Sequence, residues 1–186
     1  MIKSPPNKYN ILPSSNFIDV AINDGDEITA LEYYKDKILQ FKKMKVFIIN
    51  TSGDYEFLED TFDNVGVLGQ YSVAKTPHGI VWANISGCYI YNGEKLINLI
   101  EGKIPTSSAY ENPATSNNRW CASSTEGDCV VGYDKNKDTM LVNFTKGNVS
   151  PSTSITGGTY HFATQSWTLI RQVWSDVTVE AATGDM

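Results

Sequence analysis

From residue 28 to residue 173 the chain divides its apolar content into short runs, and turn-forming residues return roughly every 8–12 positions. Val46-Phe47-Ile48-Ile49 and Ile80-Val81-Trp82-Ala83 are among the longest purely apolar runs, and each stops after four residues. A membrane-spanning helix needs about 20 apolar residues in succession, and no stretch of this sequence meets that requirement. β-branched and aromatic residues dominate the runs, which suits half-buried, pleated strands. The pattern predicts strands over 45–50, 55–58, 65–68, 71–74, 79–84, 88–91, 96–99, 129–133, 140–144, 159–162 and 167–173. Ser52-Gly53-Asp54, Pro77-His78-Gly79, Ser86-Gly87 and Asn92-Gly93 separate several of them. Asn-Gly between apolar runs is the strongest short hairpin signal.

Residues 27–43 admit two readings. Ile28, Leu31, Tyr34, Ile38 and Phe41 could stripe a helix at spacings of three and four. The same residues could form strands 28–34 and 37–41 around a Lys35-Asp36 turn. The strand signals that follow favour the second reading. About a dozen short strands then argue an all-β fold: a sandwich, a barrel or a propeller.

An internal similarity favours propeller-like hairpin repeats, a partial or small β-propeller, over a β-sandwich. In 46–57 and again in 80–91, an apolar strand ends in Asn, a Ser-Gly turn follows, and the chain returns as aromatic-x-aromatic. A looser third copy runs through Val130–Tyr133 and Met140–Val142 to Tyr160-His161-Phe162, with Trp167 beyond. A single blade cannot cover both of its faces and must stack on neighbours around a ring. About three blades are available here, which points to a larger ring or a longer polypeptide. The domain reading is an extended arm or linker over 1–20 with Pro5, Pro6 and Pro13, blades over 21–104, a polar loop over 105–128, a further blade over 129–175 and a tail over 176–186.

Charge and residue type exclude several function classes. Lys and Arg number 15 against 21 Asp and Glu, a net charge of −6, so generic grip on nucleic-acid phosphates is not expected. Lys42, Lys43 and Lys45 form the sole basic cluster. The N-terminal residues lack the apolar core of a secretory signal, and the three cysteines, Cys88, Cys121 and Cys129, do not make a disulfide framework. A reducing cytoplasm is therefore the expected folding compartment.

No nucleophile elbow, phosphate loop or dinucleotide fingerprint occurs. The two histidines, His78 in a turn and His161 on a strand, read as structural or exposed residues. Asp134, Asn136 and Asp138 match the start of a calcium loop, but Thr139 stands where its Gly belongs and Thr145 where its Glu belongs. Five acids within 54–63 read as the solvent face of a strand. Trp82 and Trp167 read as core, and Trp120 as the better candidate for an exposed, sugar-stacking ring. The expectation is a protein without catalysis, cofactor or metal, and without membrane insertion.

One stretch resembles a known family. It comprises Leu39-x-Phe41-Lys42-Lys43, Val46-x-Ile48, Asn64-Val65-Gly66, Gly79-Ile80-Val81-Trp82 and Gly87-Cys88-Tyr89-Ile90-Tyr91-Asn92-Gly93. This order is similar to β-propeller virion proteins of tailed bacteriophages, of the tail-nozzle and tail-tube type. Residues 129–171 resemble a further blade. The resemblance implies a structural virion protein, assembled in the host cytoplasm, that forms a ring with other copies of itself and meets other tail proteins. DNA would pass through without specific binding. The blade motif it implies is Phe41, Trp82, Gly87, Tyr89, Tyr91, Gly93 and Trp167, all structural. A carbohydrate- or receptor-binding β module is the alternative from another class.

Overall fold

A computed structural model of the chain describes residues 25–53, 55–105, 120, 129–144 and 155–170, with 2, 4–5, 7–14 and 17–20 of the N-terminal segment. The expected loop over 105–128 therefore lies outside the described residues except for Pro105 and Trp120, and so does the expected tail. Among the described residues, twelve strands make three four-stranded antiparallel sheets, each a meander in sequence order. The first holds β1 (Ile28–Tyr34), β2 (Lys37–Lys42), β3 (Lys45–Asn50) and β4 (Phe57–Asp63). The second holds β5 (Val73–Thr76), β6 (Gly79–Asn84), β7 (Gly87–Tyr91) and β8 (Leu96–Asn98). The third holds β9 (Cys129–Asp134), β10 (Thr139–Phe144), β11 (Gly157–His161) and β12 (Ser166–Ile170). The described residues contain no α-helix, only a 3-10 turn over Gln70–Ser72.

The ambiguity over 27–43 resolves as a hairpin. Tyr34 pairs with Lys37, and Lys35 and Asp36 both take positive φ, 46° and 56°. Two successive left-handed residues form the tight turn whose twist matches that of the flanking strands. Tyr33 secures it, since its hydroxyl donates to Asp36 Oδ1 at 2.9 Å.

Side-chain alternation along each strand decides what each sheet buries. On the first sheet Ala30, Phe41, Val46 and Phe62 form one cross-strand row, with Leu39 and Ile48 beside it. This face packs on Val73, Ile80, Trp82, Tyr89 and Tyr91 of the second sheet. The opposite face of the second sheet presents Val81, Ala83, Cys88 and Ile90, which pack on Val131, Met140, Val142, Phe144 and Tyr160 of the third. The middle sheet is thus buried on both faces, and two cores share it. The sheets approach one another through their early strands: β5 and β6 lie against β9, and β1 against β6.

The structure corrects two strand readings and the phase of the internal repeat. The return strand expected over 55–58 is β4, Phe57–Asp63. Asn50 Oδ1 accepts the Ser52 backbone N–H at 2.9 Å and so opens a wider turn, which leaves Tyr55 outside the strand and 85 % exposed. Residues 65–68 are not a strand. Val65 and Val67 are buried there, but the backbone bonds across the two sheets: the Val67 N–H donates to the Lys42 carbonyl at 3.0 Å, and the Val65 carbonyl accepts the Trp82 indole N–H at 2.7 Å. Gly66 fits because a Cβ would lie 2.2 Å from the Lys42 carbonyl oxygen. The internal similarity is also out of phase with the sheets. Residues 46–57 span the third and fourth strands of their sheet, whereas 80–91 span the second and third of theirs. Any two hairpins of a meander share the strand-turn-strand pattern, so the similarity marks hairpins and not blade boundaries.

Candidate functional site

The residues expected to carry the blade motif fall at the two sheet-sheet boundaries. Phe41 and Trp82 are fully buried, and Tyr89 and Tyr91 nearly so, all between the first and second sheets. Lys37 reaches across this boundary to the Tyr91 hydroxyl, and Tyr34 donates its hydroxyl to the Pro77 carbonyl. Gly87 closes the β6–β7 hairpin opposite Asn84. Gly93 takes φ +97° in the β7–β8 turn, a region that disfavours any side chain. Trp167 lies at the other boundary and donates its indole N–H to the Leu99 carbonyl at 3.0 Å.

Trp120 corrects the expectation of an exposed ring. It is 2 % exposed, edge-on to Phe144 and Trp167 at 4.9 and 5.3 Å, and donates to the Asn84 carbonyl at 2.8 Å. Its polar neighbours in sequence concealed a ring that fills the base of the second core. Cys88 and Cys129 are buried in the same core, where Cys88 Sγ lies 3.9 Å from Met140 Sδ and the Cys129 thiol donates to the Ala83 carbonyl. Burial pushes the Cys88 thiol well above its ordinary range. Cys121 lies outside the described residues.

The acid-rich stretch ends on β4, an outer strand of its sheet. Glu59 pairs with Lys37 and accepts the Asn50 amide, and Asp63 pairs with Lys45 at 2.9 Å. Charges along an outer strand oppose edge-to-edge pairing with another sheet. The calcium-like segment is the β9–β10 turn. Asp134 Oδ1 accepts the backbone N–H groups of Asn136 and Lys137, and Asp138 turns away toward Tyr133 and His78.

This last contact forms a polar cluster between the second and third sheets. His78, in the β5–β6 turn, places Nε2 2.8 Å from Asp138 Oδ1 in the β9–β10 turn, and Tyr133 donates its hydroxyl to the same oxygen at 2.7 Å. A carboxylate accepts, so the imidazole carries a proton on Nε2. The two donors, Tyr133 first and then His78, hold the Asp138 carboxyl below its usual range. The same carboxylate pushes the Tyr133 phenol up to about 12. Phe162 stacks on His78, with ring centroids 4.3 Å apart and planes at 18°. The sequence offered only a turn histidine and a hairpin-tip acid, 60 residues apart. Their meeting depends on the stacking of the second sheet on the third, which no local pattern encodes. His161 bonds Thr168 on the third sheet's opposite face.

Next to this clasp a cleft of about 310 Å³ opens between the second and third sheets, lined by His78, Asn92, Asn98, Lys103, Phe162 and Gln165 with apolar residues behind them. No group of three or more potential metal ligands occurs among the described residues.

These features define an all-β protein of three four-stranded antiparallel meanders stacked face to face. No protein-family model matches the chain, and no curated protein is significantly similar to it in sequence.

Proposed function

We propose that this chain is a non-catalytic structural component of a tailed-bacteriophage virion, of tail or nozzle type, whose sheets are blades of a propeller-like ring completed by further copies or neighbouring tail proteins. The sequence resemblance over 28–104 supplies the virion part of this reading. The observation that carries the assembly part is the contrast between the middle and first sheets. The middle sheet has a neighbour on each face. Among the described residues the first has one neighbouring sheet; on its other face Gln40, Phe47 and Ile49 are buried at the middle, while Leu31, Tyr33 and Leu58 at the margins remain 51, 50 and 42 % exposed. A neighbouring subunit docked along those margins would cover them.

The N-terminal arm adds to this reading. Ile2 and Phe17 form an antiparallel bridge, and Ile2, Tyr9, Leu12 and Phe17 are 54, 83, 61 and 58 % exposed. An arm with that much uncovered apolar surface suits docking on a neighbour. Contacts between unlike faces close into rings when the rotation allows. A charge of −6 per copy would sum around such a ring to a wall that repels a DNA duplex, as a conduit requires.

Light scattering coupled to size exclusion, with negative-stain imaging, tests the reading. Cyclic particles of several copies are expected. A monodisperse monomer near 20.6 kDa whose residues 1–20 already resist amide exchange would overturn it in favour of a stand-alone binding module.

A further inference from the structure

We propose that the cleft between the second and third sheets binds a small acceptor-rich anion, specifically a uronic-acid-type monosaccharide. The proposal does not depend on the virion reading.

The lining presents donors and lacks acids. Lys103 is the cation of the cleft, and no carboxylate is among the lining residues, although the chain as a whole carries a charge of −6. Lys103 has no acidic partner in the described residues. Its Nζ gives one hydrogen bond, to the Gln165 carbonyl at 2.8 Å, and stands over the Tyr160 ring, 5.4 Å from its centroid. Nζ has three protons, so donor capacity remains. Asp138, the partner of the lining residue His78, is occupied by Tyr133 and His78.

The side-chain amides are oriented by their own turns. Asn92 Oδ1 accepts the backbone N–H groups of Glu94 and Lys95, and Asn98 Oδ1 accepts that of Ile100. Because each oxygen is engaged with a backbone donor, the Nδ2 group is the end left over. Neither Nδ2 has an acceptor in the described residues. The Gln165 side chain also borders the cleft. His78 engages Asp138 through Nε2, so Nδ1 is the ring nitrogen left over.

This set matches a sugar acid better than a simple oxyanion. Lys103 suits the carboxylate, the amides suit hydroxyl oxygens, and His78 Nδ1 suits a hydroxyl group. Ile90, Ile97 and Leu99 supply an apolar wall for the C–H face of a pyranose. The volume, about 310 Å³, lies at the small end of ligand pockets, where one sugar ring fits.

The test titrates the full chain with galacturonate, glucuronate, glucose and inorganic phosphate, following amide and side-chain NH₂ shifts by NMR. Saturable shifts of Asn92, Asn98 and Gln165 are expected with a uronate. Glucose should bind about tenfold more weakly or worse, the effect of losing one charge-assisted hydrogen bond. Lys103→Gln should weaken uronate binding by a similar factor and leave glucose binding unchanged, with its thermal midpoint confirming that it folds. Phosphate binding as tight as the uronate would overturn the proposal, since the cleft would then be a general anion site. Equal uronate binding by wild type and Lys103→Gln, or no saturable shift with either uronate, would overturn it as well.

Discussion

Phe41 and Trp82 meet edge to face, with ring centroids 5.1 Å apart and planes at 80°, across the boundary between the first and second sheets. The geometry places the positive edge of one ring on the negative face of the other, an arrangement worth about 0.5–1.5 kcal/mol beyond area burial. Trp82 also contacts Tyr89, at 5.8 Å, and its indole N–H is bonded to Val65. Trp82→Ala should therefore cost ~3–5 kcal/mol in urea unfolding, the usual loss for a buried large aromatic. Trp82→Phe should cost less, yet still leave the Val65 carbonyl without its donor. An alanine variant that melts within a degree or two of wild type would contradict the packing described.

Gly66 offers a sharper test of the 64–68 crossing. Gly66→Ala sets a methyl group 2.2 Å from the Lys42 carbonyl oxygen and 2.6 Å from the Lys43 carbonyl carbon, backbone atoms that cannot swing aside. The substitution should lower the thermal midpoint markedly, whereas Gly69→Ala, with nothing within 4 Å of its Cβ, should have a much smaller effect.

The clasp of Tyr133, Asp138 and His78 gives a two-sided pH prediction. Asp138 is depressed in the folded chain, so its contribution is present above its unfolded pKa and is lost as pH falls through its folded value. Tyr133 is raised to about 12, so its contribution is complete below 10 and lost as pH rises from 10 through 12. Tyr133→Phe should flatten both limbs of the melting-temperature profile, and Asp138→Asn should do the same. Wild-type limbs that persist in both variants would show that other groups set them.

Cys88 and Cys129 should resist a thiol reagent in the native state and react on unfolding in urea. Both are buried, and the protonated form of Cys88 is strongly favoured. A Cys121→Ser background isolates the two. Prompt labelling without denaturant would place at least one thiol at the surface.

Much of the fold was legible because its signals are local. Gly93 sits in a turn at a positive φ that glycine readily meets, and Lys35-Asp36 falls between two clear strand patterns. Ile80 to Ala83 was readable as a strand apolar on both sides, and Trp82 as core. The misreadings came where burial and backbone pairing part company. Val65 and Val67 are buried like strand residues, but their backbone serves an indole and a distant amide. Trp120 is buried by Phe144 and Trp167, both remote in sequence. His78 and Asp138 likewise meet only through sheet stacking, and the cleft beside them could not be inferred from either turn alone.

In a sheet with one wet face, polarity fixes strand register, because a slip by one residue would expose the apolar set. β6 has no wet face: Ile80, Val81, Trp82 and Ala83 are all at 0–1 % exposure. Size must take over that duty. Trp82 with Tyr89 and Tyr91 faces the first sheet, while Val81 with Ala83 and Cys88 faces the third. A slip by one residue would drive an indole into a space shaped for a valine and leave a void where the indole had been. The correct pairing of the central hairpin is thus enforced by volume mismatch, so substitutions that even out the two sides, such as Trp82→Val with Val81→Phe, should loosen register before they loosen the fold.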